Sequence, residues 1–511
     1  MSPLVIPFIL LFLNTSTALA QPKGPSTEKI NFSEFKHIIY VSKNDIYQAI
    51  SIAKKIKHEN EKVAILVATG DYILNETIEI PENIHLFGGF SNDGKWKRDI
   101  TKYPTKLIGK ENTRMLILSD KTVIDGFIII NAKFRGKGSA IYVNSSSPVI
   151  SNNIFINNKT LSPPNWKPKY LHEIANDGGA IYCENGASPI IRNNIFAENQ
   201  TETGRGGAIA FHNECNPIVI NNIFINNKTG LNDPMRSSDG GAISLFKWCK
   251  GTIKNNIFLS NSALSKNDGG AIFAALWCSP LIKNNLFINN YADDDGGAIF
   301  TGGQEHRYDK PPDPIPNENE FYIKIINNIF VSNKTPKTSN ADGAIRFTMN
   351  ARGEFVNNIT YYNNGLKFDN CEIYILENKI LDDVSFEKKE NNFGKFILKN
   401  NILLGKLNST NASPSYENNI LKNQANLTSD SLTLKIISSK FDPLNYSTKL
   451  KTLNQNFPKD IINRIVKANN KWGVIKNLSE NYIEVWGNLE GISSICILPS
   501  FELKTKSNKQ Q

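Results

Sequence analysis

Nearly the same line is written four times along this chain: "DGGAIYCENGASPIIRNNIFAEN" from Asp177 to Asn199, then "RGGAIAFHNECNPIVINNIFINN", "DGGAISLFKWCKGTIKNNIFLSN" and "DGGAIFAALWCSPLIKNNLFINN". Aligned on the isoleucine of GGAI, the copies fall at Ile141, Ile181, Ile209, Ile243, Ile272, Ile299 and Ile345. Aligned on the third residue of NNIF, they fall at Ile154, Ile195, Ile223, Ile257, Leu286, Ile329 and Ile359. The interval between the two marks is fourteen residues in five copies, thirteen in the first and thirty in the sixth. From the NNIF phenylalanine to the next glycine pair the length differs in every copy. A rigid segment therefore alternates with a variable loop at one corner, which is the mark of a solenoid whose units bury a core only by stacking.

The segments read with period two rather than 3.6. In "AIYCEN", Ile181 and Cys183 face inward while Tyr182 and Glu184 face outward; in "AIAFHN", Ile209 and Phe211 face inward while Ala210 and His212 face outward. No helical periodicity of useful length occurs between Gly136 and Asn363, which excludes helical repeats. Paired glycines such as Gly178 and Gly179 permit a corner of positive φ and close approach of neighbouring coils. Asparagine pairs such as Asn193 and Asn194 suit a tight bend, and stacked in register their amides form a hydrogen-bonded ladder. Phe155, Phe196, Phe224, Phe258, Phe287 and Phe330 should stack in the core. The expected fold is all-β: a right-handed parallel β-helix with an N-terminal helical cap and a small C-terminal cap region.

The motifs carry a resemblance. "GGAI" at Gly206 to Ile209 and "FINN" at Phe224 to Asn227 resemble the repeats of polymorphic outer membrane proteins, within the pectate-lyase-like superfamily of right-handed parallel β-helix proteins. The resemblance spans roughly Ile39 to Leu421. "NDIYQAISIAKKI", Asn44 to Ile56, reads as an amphipathic capping helix, and the following "VAILVATGDYILNETIEIPENIHLFGGF" is similar to the first coils of many secreted members. Polymorphic outer membrane proteins end in a membrane barrel, whereas this chain ends in "KTKSNKQQ", so autotransport is not expected.

The expected divisions are a signal peptide at 1–20, an N-terminal tail at 21–38, the β-helix with its cap at 39–425, and a C-terminal cap or small α+β region at 426–511. "MSPLVIPFILLFLNTSTALA" has an apolar run from Leu4 to Leu13 and ends Ala18-Leu19-Ala20, the small-x-small pattern of a cleavage site. The run is shorter than the roughly 20 residues that span a bilayer, so the expected location is secreted or extracytoplasmic, periplasm or cell surface. Toward the C-terminus, "KDIINRIVKANNKW" reads as a short helix, and "YIEVWGNL" and "SICILPSFEL" as strands.

The net charge of +10 raises the question of polyanionic partners, but only ten of the 58 basic residues are arginine and the lysines are scattered. No basic stripe interleaves with aromatics, so nucleic acid is not an expected partner. No C-x-x-C pair, G-x-S-x-G elbow or P-loop is present, which removes zinc, hydrolase-triad and nucleotide chemistry.

Two constellations could carry chemistry. The residue before each glycine pair is Asp177, Arg205, Asp239, Asp268 or Asp295, with Asp293 and Asp294 beside the last. In register these stack about 4.8 Å apart, and carboxylates that close need a cation, an arginine or a proton between them. Asp239, Asp268, Asp295 and Arg205 are the candidate catalytic set, and Asp268, Asp294 and Asp295 a candidate calcium site, since hard oxygen ligands favour calcium over zinc. The bland alternative is that each aspartate accepts backbone N–H bonds at its own turn while splaying into water.

The second constellation is loops and sheet face. "GGQEHRYDKPPDPIPNENE" in the sixth copy carries Glu305, His306, Arg307, Asp309 and Lys310, and the corner loop from Thr160 to Asp177 carries Trp166, Tyr170, His172 and Glu173. Trp166, Tyr170, Tyr182, His212, Glu305, His306 and Arg307 are the candidate substrate-binding residues, because aromatics stack on sugar rings and long loops on rigid scaffolds carry sites. Outward-facing Tyr142, Phe273 and Phe300 would extend that platform.

Cys215, Cys249 and Cys278 share one position, six after the GGAI isoleucine, where other copies have Ser147, Ala187 or Ala351. Coil spacing puts one bridge within reach, Cys249 with Cys278 or Cys215 with Cys249, while a buried free-thiol ladder needs no bridge at all. The sequence thus points to a secreted or surface scaffold that binds a polysaccharide or cell-surface component, with a polysaccharide lyase or glycoside hydrolase acting on an acidic polysaccharide as the alternative. Fold alone cannot separate the two.

Overall fold

The computed structural model describes residues 22–42, 46–165, 176–233, 236–303, 321–336, 343–390, 392–421, 425–427, 432–452, 457, 464–479, 482–498 and 503–505. It is a right-handed parallel β-helix built of strands mostly two to five residues long. Among the described residues each central turn visits four parallel sheets in order. The GGAI strands form sheet 1, the short strands after them, such as Ile190–Arg192, form sheet 2, the NNIF strands form sheet 3, and two- or three-residue strands such as Gln200–Thr201 form sheet 4. The register is that of the motif: Ile181 pairs with Ile209, Ile209 with Ile243 and Ile243 with Ile272 on sheet 1. The stack also runs through turns that lack the motif, from Ile78 with Leu116 to Val384 with Leu407.

The two asparagines of each NN pair do different work. The first turns the chain, with φ of +56° at Asn193 and +58° at Asn221. The second points inward and is fully buried. Asn222 accepts both the backbone and the amide N–H of Asn194 at 2.9 and 3.0 Å, and donates in turn to the Asn256 carbonyl oxygen. This ladder runs unbroken from Asn153 to Asn419. A second one, from Asn158 through Asn333, closes the next corner. Between them the six phenylalanines stack with centroids 4.7–4.9 Å apart and planes within 6°. The glycine pairs divide their labour too: Gly206 has φ of +68°, and a Cβ on Gly207 would sit on the Gly241 carbonyl oxygen of the next coil.

The front of the solenoid is closed by the helix Ile46–Ile56, whose Ile46, Ala49, Ile50 and Ala53 join the core. The predicted helix near the C-terminus is not found where it is described. Ile465–Ala468 and Lys471–Leu478 are paired strands of a hairpin, turned at Asn469 with φ of +53°. Asn469 supplies the left-handed residue on which the tight hairpin turns, and Val466, Trp472 and Val474 fit strands better than a helix. Six antiparallel strands between Leu432 and Ile497 form a closed barrel. The barrel packs against the outer face of sheet 3, where Trp472, Trp486 and Tyr446 meet Ile195, Ile223, Ile257 and Leu286. Tyr446 accepts from Asn226 and donates to Glu198 at 2.8 and 2.7 Å, so this polar contact is satisfied within the interface.

All six cysteines are free thiols, and Cys215, Cys249 and Cys278 form a buried ladder. No helix among the described residues is long and apolar enough to cross a membrane. The 1–20 segment lies outside the described residues.

Candidate functional site

The outer face of sheet 1 gathers the polar groups that the fold does not need for itself. Period-two alternation turns Tyr182 and Glu184 outward on the strand Ile181–Glu184, and parallel register lays Tyr142 and Asn144 on one side of them and Ala210 and His212 on the other. The Tyr182 hydroxyl accepts from Lys137 Nζ at 2.9 Å, donates to Glu184 Oε2 at 2.9 Å and lies 3.1 Å from His212 Nδ1. The Tyr142 hydroxyl donates to Glu184 Oε1. Because a carboxylate only accepts, the single Tyr182 proton goes to Glu184 and His212 Nδ1 must carry a proton of its own toward Tyr182. Burial above all, with the charges of Asp177 and Glu184 adding to it, pushes the Tyr182 phenol far up, and burial with the Glu184 hydrogen bond pushes Tyr142 to about 12. Both are therefore hydroxyl donors rather than bases. Glu184 and His212 are half-buried and reach the surface, while Tyr182 does not.

Beyond His212 the same face becomes apolar: Phe246, Phe273, Ala275 and Phe300 form a small cluster with Leu276 and Met349 packed on it. Phe273 and Phe300 face outward, as the alternation predicts, but are 1% and 2% exposed and so offer no open aromatic platform. Farther along, Arg346 donates to Asp295 at 2.9 Å and to Asp369 at 3.2 Å.

The aspartate row is an internal structure. Asp177 accepts the Arg205 backbone N–H at 2.8 Å, Asp239 that of Asp268 at 3.0 Å, and Asp268 that of Asp295 at 3.0 Å. Each of these aspartates thus ties its turn to the next one, and Asp177, Asp239 and Asp268 are buried instead of splayed into water. Burial pushes the Asp177 carboxyl up against the pull of Arg205. Arg205 itself is buried, with its guanidinium carbon 3.9 Å from the Phe246 ring centre and Nε 3.9 Å from Asp239 Oδ2. Asp268, Asp294 and Asp295 do converge, with carboxylate oxygens within 4.8 Å of one another. The Arg346 contact to Asp295 brings a fixed positive charge to that cluster.

Tyr182 and His212 are therefore brought together, and Asp268, Asp294 and Asp295 form a second group. Trp166, Tyr170, His172 and Glu173, and Glu305, His306, Arg307, Asp309 and Lys310, lie outside the described residues. Glu184, Lys137 and Arg346 were not singled out as site residues from sequence. The signal for Glu184 was present, since it shares strand parity with Tyr182 and lies one turn from His212.

Residues 116–308 match the family model described as the right handed beta helix region. No curated protein matches the chain. Among solved structures the chain is similar to the tailspike protein of E. coli bacteriophage HK620 in complex with a pentasaccharide, at 10% identity over 90% of each chain with a TM-score of 0.35. It is also similar to a double mutant of that tailspike in complex with the pentasaccharide, at 12% identity over 90% of each chain with a TM-score of 0.31. An overlap this loose leaves the reading of the site to its own geometry. The finer likeness to polymorphic outer membrane proteins stays a resemblance of repeat motifs.

Proposed function

We propose that this is a secreted or surface-located β-helix scaffold that binds a glycan on the outer face of sheet 1, at Glu184, His212 and Tyr142. The observation that carries the reading is the fixed Glu184–Tyr182–His212 chain. A half-buried carboxylate held by two tyrosine hydroxyls stands next to an imidazole of assigned tautomer, on rigid strands, beside the Tyr142 ring. Sugar hydroxyls are recognised by this combination of a charged acceptor, a second polar group and an aromatic edge. The groups are held by neighbours rather than by flexible loops, so little order is lost on binding.

Binding is favoured over cleavage because Asp177, Asp239 and Asp268 each accept a backbone N–H of the following turn and Arg205 lies buried beside Asp239, so these groups serve the solenoid itself. Lyase or hydrolase chemistry needs an acid and a base converging on one bond. The leader-like 1–20 segment supports export, and the Asp268, Asp294 and Asp295 group makes calcium the cation to include in the assay. The test is a glycan array probed with the purified protein, with and without calcium, followed by ultraviolet detection of unsaturated products on any glycan retained. Retention without product supports the scaffold reading, product moves the assignment to a lyase, and no retention on any glycan removes the proposal.

A further inference from the structure

The two ends of the solenoid are finished differently. The front is closed by the helix Ile46–Ile56, whereas the last turn consists of Leu407–Thr410 on sheet 1, Ser415–Glu417 on sheet 2 and Ile420–Leu421 on sheet 3, the end strands of their sheets. The barrel meets sheet 3 on its outer face, not across this end. Among the described residues the next strand, Ala425–Leu427, pairs with Leu503–Thr505 and extends none of the three sheets. Rows that are core elsewhere surface here. The inward row of sheet 2 runs Ile375, Leu398, Tyr416, with exposures of 0%, 0% and 48%. That of sheet 3 runs Ile380, Leu403, Leu421, with 0%, 2% and 49%. The asparagine ladder stops in the same turn, at Asn419.

We propose that this open end pairs with the same end of a second copy, tail to tail across a two-fold axis. An axis perpendicular to the solenoid and passing through Tyr416 runs the two Ser415–Glu417 strands antiparallel. Their free backbone edges then partner each other, and the two Tyr416 side chains meet. The coil climbs about 4.8 Å per turn, so the side preceding Ser415–Glu417 is recessed and the side following it projects. The same axis exchanges the two sides and lays each projection over the other copy's recess. Charge does not oppose the contact. The chain is 21% charged, yet residues 407–421 hold one charge, Glu417, which pairs with Lys399 of its own chain at 2.8 Å and falls opposite Ser415 of the other copy. No lysine and no inward-pointing charge guards these three strands, the usual defence of an exposed edge. The helix across the front blocks the head-to-tail stacking that would run on into a fibre. At roughly 30–40 Å² per residue, the range of ordinary interfaces, the last turns bury on the order of 1,000 Å² in total, so the dimer should be concentration-dependent.

The test is sedimentation velocity over a rising concentration series of the purified protein. The expected result is a shift from one to two chain masses. Tyr416→Lys sets two ammonium groups together at the axis and should weaken association by at least about tenfold, with circular dichroism unchanged. Tyr416→Cys, oxidised with copper phenanthroline, should give a covalent dimer on a non-reducing gel, because the axis brings that position beside its own copy. Leu444→Cys, on an exposed site of the barrel, should not. A monomer at every concentration, or a dimer indifferent to Tyr416→Lys, overturns the interface. A dimer in which Tyr416→Cys cross-links no faster than Leu444→Cys overturns the two-fold packing.

Discussion

Asn221 and Asn222 are adjacent and chemically identical, yet they should fail by different mechanisms and by different amounts. Asn222 is fully buried, accepts two N–H groups of Asn194, and donates to the Ile191 carbonyl at 2.8 Å. Asn222→Leu keeps the volume and removes all of these partners. It leaves the Asn194 backbone N–H and one Asn194 amide hydrogen unpaired inside the protein, while the Ile191 oxygen keeps its place in the strand ladder. At about 1–3 kcal/mol for each of the two orphaned donors, the loss should be roughly 2–6 kcal/mol. Asn221 instead occupies the left-handed region, so Asn221→Ala should cost about 1–2 kcal/mol and Asn221→Gly close to nothing. Urea unfolding followed by circular dichroism measures the three losses, and hydrogen exchange shows whether Asn222→Leu loosens the neighbouring turns, as nearest-neighbour coupling requires. Equal losses for Asn222→Leu and Asn221→Ala would refute the ladder as the element that holds the corner.

His85 is buried among Phe35 and Phe87, and burial lowers its pKa to about 4. The unfolded chain therefore binds the proton more tightly. This contribution is complete above about pH 6.5 and is lost as pH falls toward 4, by up to about 3 kcal/mol, and His85→Leu should flatten the fall in a pH series of melting temperatures. Removing the guanidinium in Arg346→Ala leaves Asp268, Asp294 and Asp295 within 4.8 Å of one another with that positive charge gone. Calcium should then raise the melting temperature of the variant by several degrees and leave the parent unchanged. Gly24 has φ of +71°, and a Cβ there would meet the Trp486 ring at 2.8 Å. Gly24→Val should free the tail from the barrel, seen as faster proteolysis near residue 24 and a changed tryptophan emission.

The β-helix was legible because its determinants are local and repeated. Glycine pairs, NN corners and in-register phenylalanines each solve a steric problem at a fixed place in every turn, so spacing alone reveals them. The site was half legible. Parity placed Tyr182 and His212 on one outward face, but the weight given to Glu184 depended on Lys137, which comes from the variable corner before its turn. The aspartate row misled in its exposure, because the sequence shows a turn residue and not what packs over it. The hairpin at Asn469 looks like helix in sequence because "IINRIVKANNKW" has an apolar spacing that suits both, and the barrel contacts that decide between them are long-range. Lysines that look scattered along the chain, such as Lys254 and Lys283, fall on successive turns of one sheet.

The most direct measurement is calorimetric titration of the retained glycan into the parent protein and into Glu184→Gln, a variant that keeps shape and loses the charge. The account predicts binding to the parent and a loss of at least about tenfold in Glu184→Gln, with the melting temperature little changed. Unaltered affinity in Glu184→Gln would contradict the placement of the site on the outer face of sheet 1.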